Sequence, residues 1–324
     1  MKVYVTRTIP DAGLSLLKQE FTVDVFPHDR LPTKPEIIAG VNDADGLLCL
    51  LTDPIDKDVI TSAPRLRMIA TYAVGYDNID VATATKHGIL VSNTPGVLTD
   101  ATAELAWALL ISAARRIPEG DTYCRQGKFT GWAPQLMVGQ EITGKTLGII
   151  GAGRIGAAMA LKSTGFHMNV LYTDTQPNPT LERELHAKRV PLEELLKQAD
   201  FISIHVALSP STHHLIGCQQ LQMMKPTAVL VNTSRGPVID EPALATALKE
   251  HWIFSAGLDV YEHEPKIHKD LLTLPNVVLA PHLGSATIDT RSNMARMAAE
   301  NMIAGLHGQL PPNCVNPEAY RKKP

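Results

Sequence analysis

The sequence contains little that would suit an oxidising compartment, a membrane or a nucleic-acid partner. Its four cysteines lie far apart among 324 residues and form no C-x-x-C motif, which is typical of free thiols in a reducing cytoplasm. The chain has 30 Lys and Arg against 33 Asp and Glu, and a net charge of −3 does not favour nucleic acid or membrane surfaces. No apolar run approaches a membrane span, and the opening MKVYVTRTIP lacks the apolar core of a signal peptide. We therefore expect a cytoplasmic protein without a nucleic-acid or membrane partner.

A G-x-G-x-x-G motif is the strongest signal in the chain. It follows a short apolar strand at residues 147–150 and precedes a predicted helix at residues 157–162. Gly151 permits the tight turn out of the strand, Gly153 lets a pyrophosphate approach the backbone, and Gly156 allows the helix to pack closely on the strand. The helix N-terminus offers free N–H groups to phosphates, so the motif predicts dinucleotide binding. A glycine-rich turn without a ligand is the alternative.

Asp174 indicates which dinucleotide is bound. It ends the next predicted strand, residues 169–173, and lies 23 residues after Gly151 (174 − 151), near the spacing of an acid that binds the adenosine ribose. An ionised carboxylate accepts hydrogen bonds from ribose hydroxyls but repels the 2′-phosphate of NADP. Residues 175–178 carry no positive charge that could compensate. We therefore predict NAD as the cofactor, with NADH preferred over NADPH.

Strand and helix signals alternate along the chain. The predicted strands outside the glycine motif lie at residues 2–6, 23–26, 46–51, 68–72, 88–92, 201–206, 228–232, 253–258 and 277–280, and a late helix lies at residues 292–305. This alternation predicts right-handed βαβ crossovers, so the fold class is α/β with two doubly wound parallel-sheet domains. Because the glycine motif begins near residue 151, the dinucleotide-binding domain is inserted into the middle of the chain.

A long helix is predicted at residues 99–117, between the two α/β regions. Residues 120–141 then lack periodicity and carry Trp132, Pro134, Leu136 and Met137. Exposed apolar side chains in an irregular arm predict a partner surface. A loop that folds onto its own domain is the alternative.

Three consecutive predicted strands end at side chains that can do chemistry. Arg235 follows strand 228–232, Glu264 follows strand 253–258, and His282 follows strand 277–280. The carboxyl ends of parallel strands share one edge of the sheet, where ligands bind. An Arg can hold a carboxylate through two hydrogen bonds, a His can donate a proton near neutral pH, and a carboxylate can fix the tautomer of that His. Taken singly, Arg235 could form a surface ion pair, His282 could be a core histidine and Glu264 could be a solvated loop acid. Together they favour keto-acid reduction.

Other polar groups are weaker candidates. His213 and His214 have no Cys or acid at metal-ligand spacing, so no metal site is predicted. Ser234 lacks the G-x-S-x-G context of a nucleophile.

The sequence resembles the D-isomer-specific 2-hydroxyacid dehydrogenases, and within them the glyoxylate/hydroxypyruvate reductases. The stretches that carry the resemblance span nearly the whole chain: YAVGYDNID (72–80), NTPGVLTDATAELAWALL (93–110), GWAPQLMVG (131–139), GKTLGIIGAGRIG (144–156), VNTSRGPVID (231–240), GLDVYEHEP (257–265) and APHLGSAT (280–287). The resemblance implies a flavodoxin-like substrate-binding domain at residues 1–99 and 287–324 and an inserted Rossmann NAD-binding domain at residues 100–286. It also implies a homodimer built around residues 99–141.

The resemblance also implies roles for individual residues. Arg235 would bind and polarise the keto acid, His282 would donate the proton, and Glu264 would pair with His282. The implied cofactor-binding residues are Thr102, Gly151, Gly153, Arg154, Ile155, Gly156, Asp174, Thr233, Asp259 and Gly284. The implied substrate-binding residues are Leu51, Val74, Gly75, Arg235, His282 and, across the dimer, Trp132.

Related sub-classes differ at single positions. Formate dehydrogenases place Gln where Glu264 stands, and phosphite dehydrogenases place Lys where Val74 stands, so a hydroxyacid enzyme is favoured. Several glyoxylate reductases place Ser-Arg or Gly-Arg where this chain has Asp174 and Thr175. We expect NAD(P)H-dependent reduction of glyoxylate or hydroxypyruvate. A D-lactate-type dehydrogenase is one alternative. A non-catalytic NAD-binding regulatory protein is another, since related corepressors can keep the same Arg, Glu and His.

Overall fold

Two parallel β-sheets, each with an apolar core on both faces, form the framework of the protein. The computed structural model describes residues 1–320. They divide into a terminal unit, Met1–Leu98 together with the described residues from Ala286 onward, and a central unit, Thr99–Ser285. Among these 320 residues, no helix is both long and apolar enough to cross a membrane.

The terminal unit is built on five parallel strands in the order β2-β1-β3-β4-β5, which is the flavodoxin-like order. Successive residues of one strand face opposite sides of this sheet: Leu47 packs with Ile69 in one core, and Leu48 packs with Val5 in the other. The elements of its first part are β1 (Lys2–Val5), α1 (Asp11–Glu20), β2 (Thr22–Val25), α2 (Lys34–Val41), β3 (Gly46–Cys49), α3 (Lys57–Thr61), β4 (Met68–Thr71), α4 (Val81–Lys86) and β5 (Leu90–Ser92).

The central unit holds seven parallel strands in the order β12-β11-β10-β9-β6-β7-β8. Counted from β6, this is the Rossmann order, and the chain reverses direction across the sheet between β6 and β9. Its elements are α5 (Thr99–Ala114), α6 (Ile117–Arg125), β6 (Thr146–Ile150), α7 (Arg154–Leu161), β7 (Asn169–Thr173), α8 (Pro179–Leu185), β8 (Lys188–Arg189), α9 (Leu192–Gln198), β9 (Phe201–Ile204), α10 (Cys218–Met223), β10 (Val229–Asn232), α11 (Glu241–Lys249), β11 (Ser255–Leu258) and β12 (Val277–Leu279).

The long helix α12 (Ile288–Leu306) returns the chain to the terminal unit, where it packs on α1 and β4. The Thr287 hydroxyl caps it by accepting the N–H of Thr290 at 3.1 Å. The helix starts four residues earlier than its apolar pattern predicts. Short 3-10 helices, Lys162–Phe166, Gly236–Val238 and Pro317–Ala319, complete the regular structure.

The region between α5 and β6 differs from the prediction in one respect. Arg116 adopts φ of +55°, a left-handed conformation that ends the right-handed helix α5 at Ala114 rather than at residue 117. A second helix, α6, then covers residues 117–125, so the prediction that residues 120–141 lack regular structure is wrong for their first part. Residues 126–141 contain no helix or strand. The predicted fold class, two doubly wound parallel-sheet domains, is confirmed.

Candidate active site

The glycine motif forms a tight turn between β6 and α7. Gly151 has φ of +92°, and a Cβ there would meet the backbone of His205 and Val206 at 2.8 Å, so this position needs glycine. The helix α7 begins after Gly153 with no side-chain hydrogen bond to cap it. The position that a Cβ of Gly153 would take is open, with no neighbouring atom of residues 1–320 within 4 Å. An open, uncapped helix N-terminus suits a phosphate group.

Asp174 stands directly after β7 and contacts the glycine motif. Its Oδ2 accepts the N–H of Ala152 at 2.7 Å, and its Oδ1 accepts the N–H of Gln176 at 3.3 Å. The carboxylate is therefore fixed beside the turn that would hold a pyrophosphate.

Arg189, at the end of β8, brings a positive charge to the same corner. Its Nε and Nη2 donate to the backbone carbonyl of Asp174 at 3.0 and 2.8 Å. Sequence reasoning missed this residue, because the two-residue strand β8 that carries it gives no periodic signal.

The three strand ends predicted to carry chemistry lie level with one another. Asn232 pairs with Leu258, and Leu258 pairs with Leu279, so β10, β11 and β12 end at one height on the sheet edge. The loops that follow them therefore begin side by side.

His282 and Glu264 form a direct pair at this edge. Nδ1 of His282 lies 2.9 Å from Oε2 of Glu264, and each side chain is 29% exposed. The other oxygen of Glu264 accepts the N–H of Tyr261 at 3.0 Å. Burial raises the pKa of Glu264, but the hydrogen bond to His282 and the charges of His282 and Arg235 outweigh it and hold that pKa below its ordinary value. The ionised carboxylate thus orients the imidazole ring through Nδ1.

The loop that carries Arg235 is shaped by a buried asparagine. Asn232 Oδ1 accepts the N–H and hydroxyl of Ser234 at 3.0 and 2.8 Å, and its amide donates to the carbonyl of Arg235 at 2.9 Å. Gly236 lies against the backbone of Tyr261, where a Cβ would overlap it. This close approach brings the Arg235 loop onto the segment that carries Glu264, in agreement with the effect of the Arg235 charge on the pKa of Glu264.

Asp259 fixes the loop that carries His282. It is buried, and its carboxylate accepts the N–H groups of Leu283 at 2.6 Å and Gly284 at 2.8 Å. Burial raises the pKa of Asp259, although these hydrogen bonds and the charge of His282 oppose the rise. The hydroxyl of Thr102 donates to the carbonyl of Gly284 at 3.0 Å. Thr102, Asp259 and Gly284 therefore form one hydrogen-bonded group.

The central unit thus brings together Arg235, Glu264 and His282, and it places Asp174 beside the glycine motif. Thr233 is nearby in sequence, and its buried hydroxyl has no hydrogen-bond partner among residues 1–320. Three further predicted residues lie in loops of the terminal unit, after β3 and β4: Leu51, Val74 and Gly75. Trp132 lies in the irregular segment and is 85% exposed.

Two further residues of this edge were missed by the sequence analysis. The Tyr261 hydroxyl donates to the carbonyl of Ala280 at 2.8 Å and so ties the Glu264 segment to the end of β12. His205 follows β9 beside Gly151, and desolvation lowers its pKa to about 3, which keeps the imidazole neutral. Only their positions after apolar strands could have indicated them.

Comparison with known proteins gives a consistent result. Residues 107–284 match the NAD binding domain of the D-isomer specific 2-hydroxyacid dehydrogenases. A glyoxylate reductase from Korarchaeum cryptofilum is 54% identical, with 100% of this chain and 98% of the relative covered.

Two solved structures show the same architecture. A protein from Thermus thermophilus has a TM-score of 0.91 and 44% identity, covering 97% of this chain and 100% of its own. An NADPH-dependent glyoxylate/hydroxypyruvate reductase from Sinorhizobium meliloti, in complex with NADP and malonate, has a TM-score of 0.87 and 30% identity, covering 100% and 99%.

Proposed function

The chain belongs to the D-isomer specific 2-hydroxyacid dehydrogenase family, and on that premise we propose that it reduces glyoxylate or hydroxypyruvate to the 2-hydroxy acid with a nicotinamide dinucleotide. One observation carries the proposal: the His282–Glu264 pair lies at the same sheet edge as a glycine-motif helix N-terminus. A proton donor and a dinucleotide site are the two parts that such a reduction requires.

The residues of the central unit fit a dinucleotide. The N–H groups of Arg154 and Ile155, in the first turn of α7, would hold the pyrophosphate, with Gly151, Gly153 and Gly156 allowing its approach. The orphaned hydroxyl of Thr233 and the group formed by Thr102, Asp259 and Gly284 would line the nicotinamide end. When bound, the reduced nicotinamide supplies the hydride.

Proton donation falls to His282. As the carbonyl oxygen gains negative charge, protonated His282 transfers the Nε2 proton to it, and the Glu264 carboxylate stabilises the imidazolium before transfer. Because Glu264 also binds the N–H of Tyr261, its orientation is set before substrate arrives.

Arg235 and the loop after β4 would bind the keto acid. The Arg235 guanidinium can hold the carboxylate and polarise the adjacent carbonyl. The N–H groups of Val74 and Gly75 have no acceptor within residues 1–320, which supports their proposed role as further donors to the carboxylate. We assign Leu51 to the wall of the substrate pocket.

The cofactor preference rests on Asp174. A carboxylate fixed beside the glycine motif favours ribose hydroxyls and disfavours a 2′-phosphate, so NADH is proposed over NADPH. Arg189 opposes this preference for NADH, because its guanidinium lies at the Asp174 carbonyl and could turn toward a phosphate. Because the Arg189 guanidinium donates hydrogen bonds to the backbone carbonyls of Asp174 and Thr175, we retain the proposed preference for NADH.

A cytoplasmic homodimer completes the proposal. The segment from α5 to residue 141 exposes large apolar side chains, among them Phe129, Trp132 and Val138 at 57%, 85% and 56%. Such a surface is typical of a site that a second protein covers. A second copy would cover it, and Trp132 would then reach the substrate pocket of the other subunit.

A substrate panel tests the proposed activity. Purified protein is assayed with glyoxylate, hydroxypyruvate and pyruvate, with NADH or NADPH, by loss of the reduced cofactor's absorbance. We expect turnover with glyoxylate or hydroxypyruvate to exceed that with pyruvate. If pyruvate is the best substrate, a D-lactate-type dehydrogenase is indicated. Binding of NADH without turnover of any of the three would indicate a non-catalytic regulatory protein instead.

A further inference from the structure

Two histidines and a glutamate that are distant in sequence meet in the central unit, and none of the three belongs to the group formed by Arg235, Glu264 and His282. His213, His214 and Glu262 each offer one possible ligand atom, an imidazole nitrogen or a carboxylate oxygen. These three atoms all lie within 4.8 Å of one another. His214 Nε2 is 2.7 Å from Glu262 Oε1, and the two imidazole rings stack with centroids 4.1 Å apart. Because 48 residues separate His214 from Glu262, sequence spacing gives no sign of this cluster.

The backbone fixes the two histidines. The N–H of His214 donates to the carbonyl of Pro237 at 2.8 Å, and the N–H of His213 donates to the carbonyl of Ser209 at 3.0 Å. His214 has φ of +50°, a conformation in which an L residue persists only when its surroundings hold it. The turn therefore presents both rings on one side without help from a ligand.

Glu241 holds Glu262 through two hydrogen bonds, each between one residue's backbone N–H and the other's carboxylate. Glu262 Oε2 accepts the N–H of Glu241 at 3.2 Å, and Glu241 Oε1 accepts the N–H of Glu262 at 2.7 Å. Burial raises the pKa of Glu262, but the hydrogen bonds with His214 and Glu241 outweigh it and hold that pKa below its ordinary value. Glu262 is thus an ionised ligand whose outer oxygen is fixed, which is the support that metal-ligating carboxylates usually have.

We propose that His213, His214 and Glu262 bind a divalent transition-metal ion of the zinc type. Two imidazoles and one carboxylate suit Zn²⁺, Ni²⁺ or Co²⁺ better than Mg²⁺ or Ca²⁺, which prefer oxygen ligands. Ligand atoms around tetrahedral zinc stand about 3.3 Å apart, given metal–ligand bonds of about 2.0–2.1 Å. When an ion replaces the hydrogen bond between His214 and Glu262, their ligand atoms, now 2.7 Å apart, separate to that value. Rotation of the exposed His213 ring brings its nitrogen to the ion, and water fills the fourth position.

A bound ion would restrain residues 259–264, the segment whose Glu264 orients His282. Glu262 lies between Asp259 and Glu264, so a bound ion ties this segment to the turn at residues 209–216. A ligand that binds only the folded chain stabilises it, so zinc should raise the melting temperature.

Calorimetric titration of the chelator-treated full chain with Zn²⁺ at about pH 7.5, where free histidine is mostly neutral, tests the proposal. We expect one saturable site per chain, which Mg²⁺ does not occupy. His213→Ala, Glu262→Gln and His214→Asn should each weaken zinc binding by at least about tenfold. Asn is chosen at position 214 because it tolerates the left-handed conformation. Circular dichroism of each variant shows whether it has folded, and His213→Ala changes only an exposed side chain.

Two controls separate this site from other zinc ligands. His28→Ala removes an exposed histidine of the terminal unit, and Cys218→Ser removes an exposed thiol of the central unit, so both variants should bind zinc as the parent does. No saturable binding by the parent would overturn the proposal. So would undiminished binding by folded His213→Ala and Glu262→Gln, or loss of the site in Cys218→Ser.

Discussion

Glu264 holds His282 by one oxygen and is itself held by the N–H of Tyr261 through the other. Glu264→Gln keeps the size of the side chain and removes its charge. His282 then loses the charged partner that orients its ring. We predict that kcat/KM for glyoxylate reduction falls by about 10- to 10²-fold with unchanged NADH affinity, as for loss of one charged hydrogen bond.

The lowered pKa of Glu264 predicts how the stability of the protein changes at acid pH. A carboxyl group whose pKa is lower in the folded chain than its ordinary value of 4.5 stabilises the fold above pH 4.5. This stabilisation is lost as the pH falls through the lowered pKa. The stability difference between parent and Glu264→Gln should therefore be full near neutral pH and shrink below pH 4.5. Glu250→Gln, at an exposed position, is the control. Parental kcat/KM in a folded Glu264→Gln variant would contradict the pairing role.

We expect Arg235 to bind the substrate carboxylate through two parallel hydrogen bonds from its guanidinium. Lysine provides one point charge and cannot make two parallel hydrogen bonds to a carboxylate. Arg235→Lys should lower kcat/KM by about 10- to 10²-fold, with a higher KM and a lower kcat, as for loss of one charged hydrogen bond. Arg183→Lys, at an exposed surface pair, should leave both constants unchanged. Parent-like kinetics of Arg235→Lys would make Arg235 a structural residue.

For single residues, the sequence indicates which strand end a side chain follows better than which other side chains it contacts. Arg235, Glu264 and His282 could be placed at one edge because each follows an apolar strand. The hydrogen-bond group of Thr102, Asp259 and Gly284 could not be predicted, because it joins residues that are distant in sequence. The same reason hides the contact of His214 with Glu262, and the sequence alone therefore argued against a metal site there.

Among the elements, we expect the corner formed by β7 and β8 to set the cofactor preference. Asp174 directly follows β7, and Arg189 on β8 donates hydrogen bonds to its carbonyl. We predict a kcat/KM with NADH that exceeds that with NADPH by about 10- to 10³-fold, from charge repulsion with the 2′-phosphate. Asp174→Ala combined with Thr175→Arg should shift the preference toward NADPH.

Arg189→Gln separates the two charges of this corner. If Arg189 only supports the backbone of Asp174, the variant changes kcat/KM with NADH and with NADPH by the same factor. If Arg189 also binds a phosphate, kcat/KM with NADPH falls by the larger factor. Steady-state kinetics with both cofactors and glyoxylate decide. Equal or higher kcat/KM with NADPH in the parent would refute the role given to Asp174.

The strands buried on both faces of a sheet could be predicted from the sequence, whereas the boundary between α5 and α6 was missed. The apolar strands around the glycine motif were located within a few residues, since strands buried on both faces are continuous apolar runs. The left-handed conformation of Arg116 that ends α5 is not indicated by its residue type. Pro118, in the first turn of α6, is the signal that could have indicated the start of this second helix.

For the whole molecule, we predict a homodimer through the segment at residues 99–141. Sedimentation velocity at micromolar concentration should show a mass near twice 35.2 kDa. Val138→Glu places a charge in the exposed apolar segment and should weaken the dimer, whereas Leu272→Glu, equally exposed elsewhere, should not. A stable, fully active monomer of the parent chain would exclude this assembly.

The most direct measurement compares parent and His282→Asn for NADH-dependent reduction of glyoxylate, with NADH binding followed separately by fluorescence. Asn is chosen because His282 has φ of +56°, which Asn tolerates. We predict a fall in kcat of about 10²- to 10⁴-fold with unchanged NADH affinity, the loss expected for a general acid. His263→Asn, on the neighbouring loop, should keep parental turnover. Near-normal turnover by a folded His282→Asn variant would contradict the role of His282 as the proton donor.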